Sequence, residues 1–273
     1  MKWGPLARIW LALGEGLGAL AFLLGLRRRV ALEGLARAFP ERTPAERRML
    51  ARAAYAQLGK SLAELWLVRR LPDDALEKMV RFEGWERYEK ARAAGRGVVV
   101  AVAHFGNWEL LGRACARRGV PLTAITRRLR GRLNRPILAA RREGGMRELP
   151  DKGSTGDALA LLRRGETLAI VVDQNMRLKR GIFVSFFGEL ACTTPAAAVL
   201  SLRAGAPLIA AFPVRQPDGT HVVQVHGPFT ARESGPRAIR ELTQQITESV
   251  EQAVRAHPDH WFWVHRRWKT RPE

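Results

Sequence analysis

The chain has 273 residues, 47% of them hydrophobic, enough for one large α/β domain or a domain with a small helical extension. Its 46 Lys and Arg against 26 Asp and Glu give a formal net charge of +20, nearly all from arginine, which implies a polyanionic neighbour: an acidic membrane surface, a phosphorylated substrate, nucleic acid or an acidic carrier protein. Two cysteines, Cys115 and Cys192, have no metal-site spacing and exclude a disulfide framework, as expected in a reducing compartment.

Leu6 to Leu26 is apolar apart from Arg8, Glu15 and several glycines, and Arg27-Arg28-Arg29 follows at once. The length suits one membrane span. A secretory signal carries its charge before the apolar core and a small-residue cleavage site after it. Here the charge comes after, which places it and all that follows on the cytoplasmic side. Glu15 is costly in mid-span, so an anchor lying in the interface is the alternative. Residues 1–29 are thus an anchor with a basic flank, and 30–273 a single domain whose first part, 30–95, is helical.

Within that part, Pro44 to Arg69 has helical periodicity, with Thr43 as N-cap and Pro44 at the first helical position. Leu50, Ala54, Leu58, Leu62 and Leu65 form its apolar face. Asp73 to Val80 and Glu83 to Ala94 read as further helices.

After Gly95 the pattern changes. Val98–Ala103, Leu122–Thr126, Leu168–Val172, Leu208–Val214 and Val222–Val225 are strand-like runs. Helical stretches at 107–118, 132–143, 156–164 and 195–204 separate most of them, and Arg237 to Arg255 is a last long helix. Alternating helices and continuous apolar strands predict an α/β fold with a mainly parallel central sheet flanked by helices. The turn at Gln216–Gly219 is compatible with an antiparallel last strand.

The run Val98–Ala103 ends abruptly in His104, and Glu109 follows five positions later. In open α/β sheets ligands bind at the carboxyl ends of the strands, and an imidazole held by a carboxylate is the usual general base near neutral pH. On one continuous helix the two would sit about 140° apart and could not meet. They can meet if His104 lies in the strand-to-helix turn and the helix starts between them. Gly106 supplies a flexible turn residue and Asn107 an N-cap, giving a helix from about Trp108 to Arg118. Taken alone, the pair reads first as a satisfied turn histidine and a first-turn acid that suits the helix dipole.

Other strand ends carry polar groups. Arg127, Arg128, Arg130, Arg132, Asn134 and Arg135 follow the second strand, and Asp173, Gln174 and Asn175 the third. The arginines can hold phosphate or carboxylate. With no second metal ligand nearby, Asp173 is expected to pair with one of them. Gly181 to Gly188 is an apolar loop with adjacent Phe186 and Phe187, suited to core packing, a hydrocarbon pocket or the bilayer. At the carboxyl end, aromatics beside Arg and Lys from His257 to Pro272 fit an interfacial surface or stacking on bases. The three histidines there match no metal-ligand pattern.

His104 to Glu109 resembles the H-x4-D/E signature of the lysophospholipid acyltransferase superfamily, and the chain is similar to the late lauroyl and myristoyl acyltransferases of lipid A biosynthesis. The anchor with its basic flank, the Arg127–Asn134 region, Asp173-Gln174, Phe186-Phe187-Gly188 and Trp263-Val-His-Arg-Arg-Trp-Lys-Thr-Arg-Pro272 agree in order. The resemblance implies transfer of a fatty acyl chain from acyl carrier protein, or from acyl-coenzyme A, to a hydroxyl of a phosphorylated glycolipid. The setting it implies is an anionic inner membrane with the catalytic domain on the cytoplasmic side. His104 would be the general base and Glu109 its orienting carboxylate. Arg127, Asn134, Asp173, Gln174, Phe187 and Gly188 would bind substrate, with no metal and no cofactor. The chain departs from the family in having Thr126 and Arg128 where an aromatic residue and a proline often flank the arginine. Acceptors of related enzymes (lysophospholipid, mannosylated lipid, amino-acid lipid) share these motifs. A metal-dependent phosphoesterase would need a D-x-H segment, which the chain lacks. Nucleic-acid binding rests on charge alone, with no recognised motif, and no nucleic-acid partner is expected.

Overall fold

The computed structural model describes residues 4–68, 73–126 and 134–272. Helices α1 (Pro5–Leu23), α2 (Arg28–Ala38), α3 (Pro44–Val68) and α4 (Asp73–Met79) lead into strand β1 (Val80–Glu83) and α5 (Trp85–Ala93). Then come β2 (Val98–Val102), α6 (Trp108–Arg117), β3 (Leu122–Thr126), α7 (Asn134–Glu143), β4 (Arg147–Pro150), α8 (Thr155–Arg163) and β5 (Thr167–Val171). A hairpin of β6 (Ile182–Phe186) and β7 (Glu189–Thr193) follows, then α9 (Ala196–Ala204), β8 (Leu208–Arg215), β9 (His221–Phe229) and α10 (Gly235–Ala256).

Among the described residues, seven strands form one sheet in the order β1-β9-β8-β2-β5-β3-β4. Every pairing is parallel except β8 with β9, which is antiparallel. The α/β architecture with a mainly parallel sheet is therefore as the alternating pattern predicted. The central strands are buried on both faces, as their continuous apolar runs require. One face (Val99, Ala101, Leu168, Ile170, Leu208, Ala210) packs with α8, α9 and α10. The other (Val98, Val100, Val102, Ile209, Ala211) packs with Tyr88 of α5 and Leu110, Leu111 and Ala114 of α6.

Three elements differ from expectation. The segment before Gly95 is not wholly helical, because Val80–Glu83 adds an edge strand beside β9. A second short edge strand, β4, pairs with β3 outside the strand-like runs of the sequence. The stretch Gly181–Gly188 is no loop. It forms β6 and the turn into β7, with Phe187 and Gly188 both at positive φ, as a tight two-residue hairpin turn demands.

At the amino end α1 lies against α3. A Cβ at Gly14 or Gly18 would strike the backbone carbonyl of Gly59 or Tyr55, so only glycine permits this close crossing. Glu15 is neutralised by Lys60 at 3.0 Å. The outward row Leu6, Ile9, Trp10, Leu13 and Leu17 is exposed, and Leu6–Leu23 is long and apolar enough to cross a membrane. α3 itself starts with a capping box. The Thr43 N–H donates to Glu46 Oε2 at 2.7 Å, and the Glu46 N–H to Thr43 Oγ1 at 3.3 Å, satisfying two first-turn donors.

Candidate active site

β2 and β5 are neighbours, with Val102 opposite Val171, so their carboxyl ends deliver His104 and Asp173 side by side. Between His104 and Glu109 the chain turns and α6 begins, as the spacing required. Gly106 takes a positive φ of 55° against the Pro213 carbonyl, where a Cβ does not fit. Asn107 Oδ1 caps α6 by accepting from the Leu110 N–H at 3.0 Å.

The turn is fastened from two sides. The Gly106 N–H donates to the His260 carbonyl at 2.8 Å and the Phe262 N–H to the His104 carbonyl at 3.0 Å. Behind it, Asn107 Nδ2 donates to Glu64 Oε2 at 2.6 Å. Glu64 is fully buried on α3 and also meets the Arg215 guanidinium, with Nη2 at 2.7 Å, and His221 Nε2 at 3.1 Å. Burial alone would raise the Glu64 pKa. The charges and hydrogen bonds of His221 and Arg215 outweigh it and hold the carboxyl at about 2.

The carboxylate on the His104 ring is Asp173. Oδ1 lies 2.8 Å from Nδ1, while Oδ2 accepts from the His104 N–H at 2.9 Å and from Trp261 Nε1 at 2.8 Å. A buried carboxylate on Nδ1 fixes the tautomer, leaving Nε2 as the basic nitrogen. Burial depresses the His104 pKa, but the charge and hydrogen bond of Asp173, helped by the charge of Glu109, lift it above the ordinary histidine value against Arg141. Burial likewise raises Asp173, and the His104 charge with three hydrogen bonds brings it below the usual carboxylate value. Gln174 Nε2 stands 3.3 Å from His104 Nε2. The ring is flanked by Trp108 and Phe262, with centroids at 5.1 and 5.7 Å.

Two expected pairings are thus corrected. Glu109 does not hold the His104 ring. Its carboxylate takes a bidentate clamp from Arg141, at 2.9 Å from Nε and 2.5 Å from Nη2, plus Trp108 Nε1 at 3.1 Å. Asp173 pairs with the histidine and not with an arginine. The arginine on Glu109 comes from α7, beyond the basic segment that follows the second strand, and this Arg141 also binds Glu148 at 2.7 Å. Arg127 lies outside the described residues, and Asn134 is placed only as the first residue of α7. Phe187 and Gly188 are away from the ring, in the hairpin turn, where Phe187 packs on Phe39.

The carboxyl-terminal segment is no surface patch. Trp261, Trp263 and Trp268 are buried, and His265 Nε2 accepts the Asn175 N–H at 2.8 Å. Burial, with the His104 and Arg267 charges, pushes His265 down to about 4, keeping it a neutral acceptor. Sequence reasoning missed Arg141, Glu64 and Arg215.

Two spaces meet at this turn. A small cleft at His104 is walled by Trp108, Gln57, His260 and Phe262. On the α5–α6 side of the sheet, an apolar cavity starts at Trp108, Glu109, Thr126 and Val171. Alternate residues of five strands line it, with Ala124, Ala169 and Ala211 in the middle rows. Ala124 and Ala169 are register partners, so small side chains lie abreast and leave a trough.

A family model described as bacterial lipid A biosynthesis acyltransferase matches residues 7–270. The chain is 26% identical over 284 residues to a lipid A biosynthesis palmitoleoyltransferase of Escherichia coli (strain K12), covering 100% of this chain and 92% of that protein. It is 28% identical over 264 residues to the lauroyltransferase of the same organism, covering 96% and 85%. A phosphatidylinositol mannoside acyltransferase of Mycobacterium tuberculosis (strain CDC 1551 / Oshkosh) is 26% identical over 211 residues, covering 74% and 65%. A histidine–carboxylate pair at the carboxyl end of a parallel sheet, beside a deep apolar cavity, fits the match over nearly the full length: the chain is an acyltransferase and belongs to the bacterial lipid A biosynthesis acyltransferase family.

Proposed function

We propose that the protein moves a fatty acyl chain from the thioester of acyl carrier protein, or of coenzyme A, to a hydroxyl of a lipid A precursor or related glycolipid. The observation that carries this is the His104–Asp173 pair on the turn whose Trp108 and Glu109 line one end of an apolar cavity that runs along the sheet. His104 Nε2 takes the proton of the acceptor hydroxyl as its oxygen attacks the thioester carbonyl. The tetrahedral intermediate collapses by breaking the carbon–sulfur bond, and the imidazolium returns the proton to the departing thiolate. Asp173 stabilises the transient imidazolium, and the Glu109 charge adds to that field. Gln174, beside Nε2, supplies an N–H donor for the developing oxyanion.

On the other side of the cleft, an open polar groove of about 1560 Å³ is lined by Arg8, Lys60, Gln216, Asp218 and His257, and it shares Gln57 and His260 with the cleft. Its position beside α1 suits an acceptor that approaches from a membrane with its sugar headgroup in the groove. The α1 row of exposed leucines and Arg27-Arg28-Arg29 suit an anionic inner-membrane surface, the domain facing the cytoplasm. The close α1–α3 crossing and the neutralised Glu15 favour an anchor lying in the interface over an isolated span.

The test is purified protein with lauroyl- and myristoyl-acyl carrier protein and a phosphorylated, partly acylated glucosamine disaccharide lipid, the products read by mass spectrometry. A product heavier by one acyl chain is expected. Turnover only on a mannosylated or lysophospholipid acceptor would reassign the substrate. Absence of any transfer to a lipid hydroxyl would sink the reading.

A further inference from the structure

The far end of the apolar cavity lies away from every motif discussed so far. Its mouth is at the carboxyl ends of β2, β3 and β5. From Val171 at the mouth to Thr167 at the amino end of β5 is four residues, ~13 Å at strand rise. There the cavity meets Thr167, Tyr88, Trp85 and Phe82.

These aromatics form one stack. Phe82 of β1 and Trp85 of α5 are 4.7 Å apart between centroids, and Trp85 and Tyr88 4.6 Å. The stack is fixed at both ends. Tyr88, buried, shares a hydrogen bond with Thr167 Oγ1 at 2.9 Å. On the outer side, the Arg118 guanidinium covers Phe82 at 4.6 Å and Trp85 at 5.2 Å, a cation–π contact that closes the wall. Trp85 Nε1 is tied to Glu89 at 3.0 Å. Rings packed on one another and pinned by polar contacts do not yield to one more methylene, since overpacking a well-filled wall strains it.

We infer that the Phe82–Trp85–Tyr88 stack is the floor that sets the length of the acyl chain this enzyme transfers. A chain whose thioester carbonyl sits at His104 fills the trough over Ala124 and Ala169 and ends against these rings. A shorter chain leaves part of the cavity empty, and a longer one cannot bring its carbonyl to His104. The inference rests on the acyl-transfer reading above and adds the residues that decide which acyl group is used.

The experiment measures kcat/KM of the full-length protein in detergent micelles with decanoyl, lauroyl, myristoyl, palmitoyl and stearoyl thioesters of acyl carrier protein and the disaccharide acceptor. Wild type should show one preferred length. Trp85→Ala and Tyr88→Ala deepen the floor and should move the preference to longer chains, by ~10-fold or more in the ratio of the longer to the wild-type donor. Ala169→Leu fills the trough midway and should move it to shorter chains. Because it adds volume where the others remove it, it keeps the idea testable if the aromatic truncations fail to fold. Variants that turn over with the wild-type length order overturn the floor assignment and leave acyl transfer standing. A wild type that consumes no thioester of any length overturns acyl transfer itself.

Discussion

At the residue scale, the proposed chemistry rests on which carboxylate touches His104. Asp173 holds Nδ1 and raises the histidine pKa, so the base is neutral only at higher pH. The acid limb of the rate should therefore lie above the ~6.5 of a free histidine. In Asp173→Asn the limb should move to lower pH while the plateau rate falls by roughly 10²-fold or more; a pH–rate profile checks both. Glu109→Gln keeps the Asp173 contact and should displace the limb less than Asp173→Asn does, because Glu109 contributes less to the shift, although the loss of its clamp with Arg141 should still cost much of the rate. His104→Ala should abolish transfer with folding and membrane association intact, measured by product formation, circular dichroism and flotation. His104 was legible because a polar residue ends the six-residue apolar run Val98–Ala103. Its partner was not, because adjacency of the first and fourth sheet strands in sequence order after Gly95 is a tertiary fact that no local spacing records. The nearer acid, Glu109, was the only one that spacing could offer.

At the scale of elements, the long amphipathic helices and the doubly buried strands were readable from periodicity. The misread pieces are short and sit where periodicity fails. β1 is four residues, Val-Arg-Phe-Glu, and half of it is charged because it lies at the sheet edge. β4 carries Arg, Glu and a terminal Pro for the same reason. α3 does more than pack. Through Glu64 and Asn107 it supports the turn that presents His104. Held at about 2 when folded against about 4.5 unfolded, Glu64 contributes stability that is present above pH 4.5 and lost as pH falls toward 2. Glu64→Gln leaves Arg215 buried without its counter-charge and should destabilise the protein by about 3–5 kcal/mol near neutrality. The difference from wild type should shrink on acidification through that window. Urea unfolding at a series of pH values measures it, and a difference that stays constant with pH would contradict the ion-pair account.

For the whole molecule, the net charge of +20 was legible at once, but its use depends on where the charge lies. Arg27, Arg28 and Arg29 sit directly past α1, and Arg28 reaches back to the Phe22 and Leu23 carbonyls at 3.4 Å. Replacing the three with glutamine should weaken binding to vesicles containing anionic lipid by about fivefold per residue at low salt, near 1 kcal/mol each, and leave binding to neutral vesicles almost unchanged. Vesicle co-sedimentation at two salt concentrations separates the electrostatic share from the apolar share.

The glycine crossing of α1 on α3 has a practical consequence. A truncation that starts after Leu26 to obtain an easily handled enzyme removes more than a tether. It strips the cover from the seam around Gly59 and Tyr55 and takes away the charge partner of Lys60. The bared helix is the same one whose Glu64 steadies the histidine turn. Such a shortened protein should sediment as aggregate and show faster amide exchange from Gln57 to Glu64 and through Gly106 to Leu110. Helix α1 is thus a panel of the domain's wall, and solubility is better sought by replacing its outward leucines than by cutting it off.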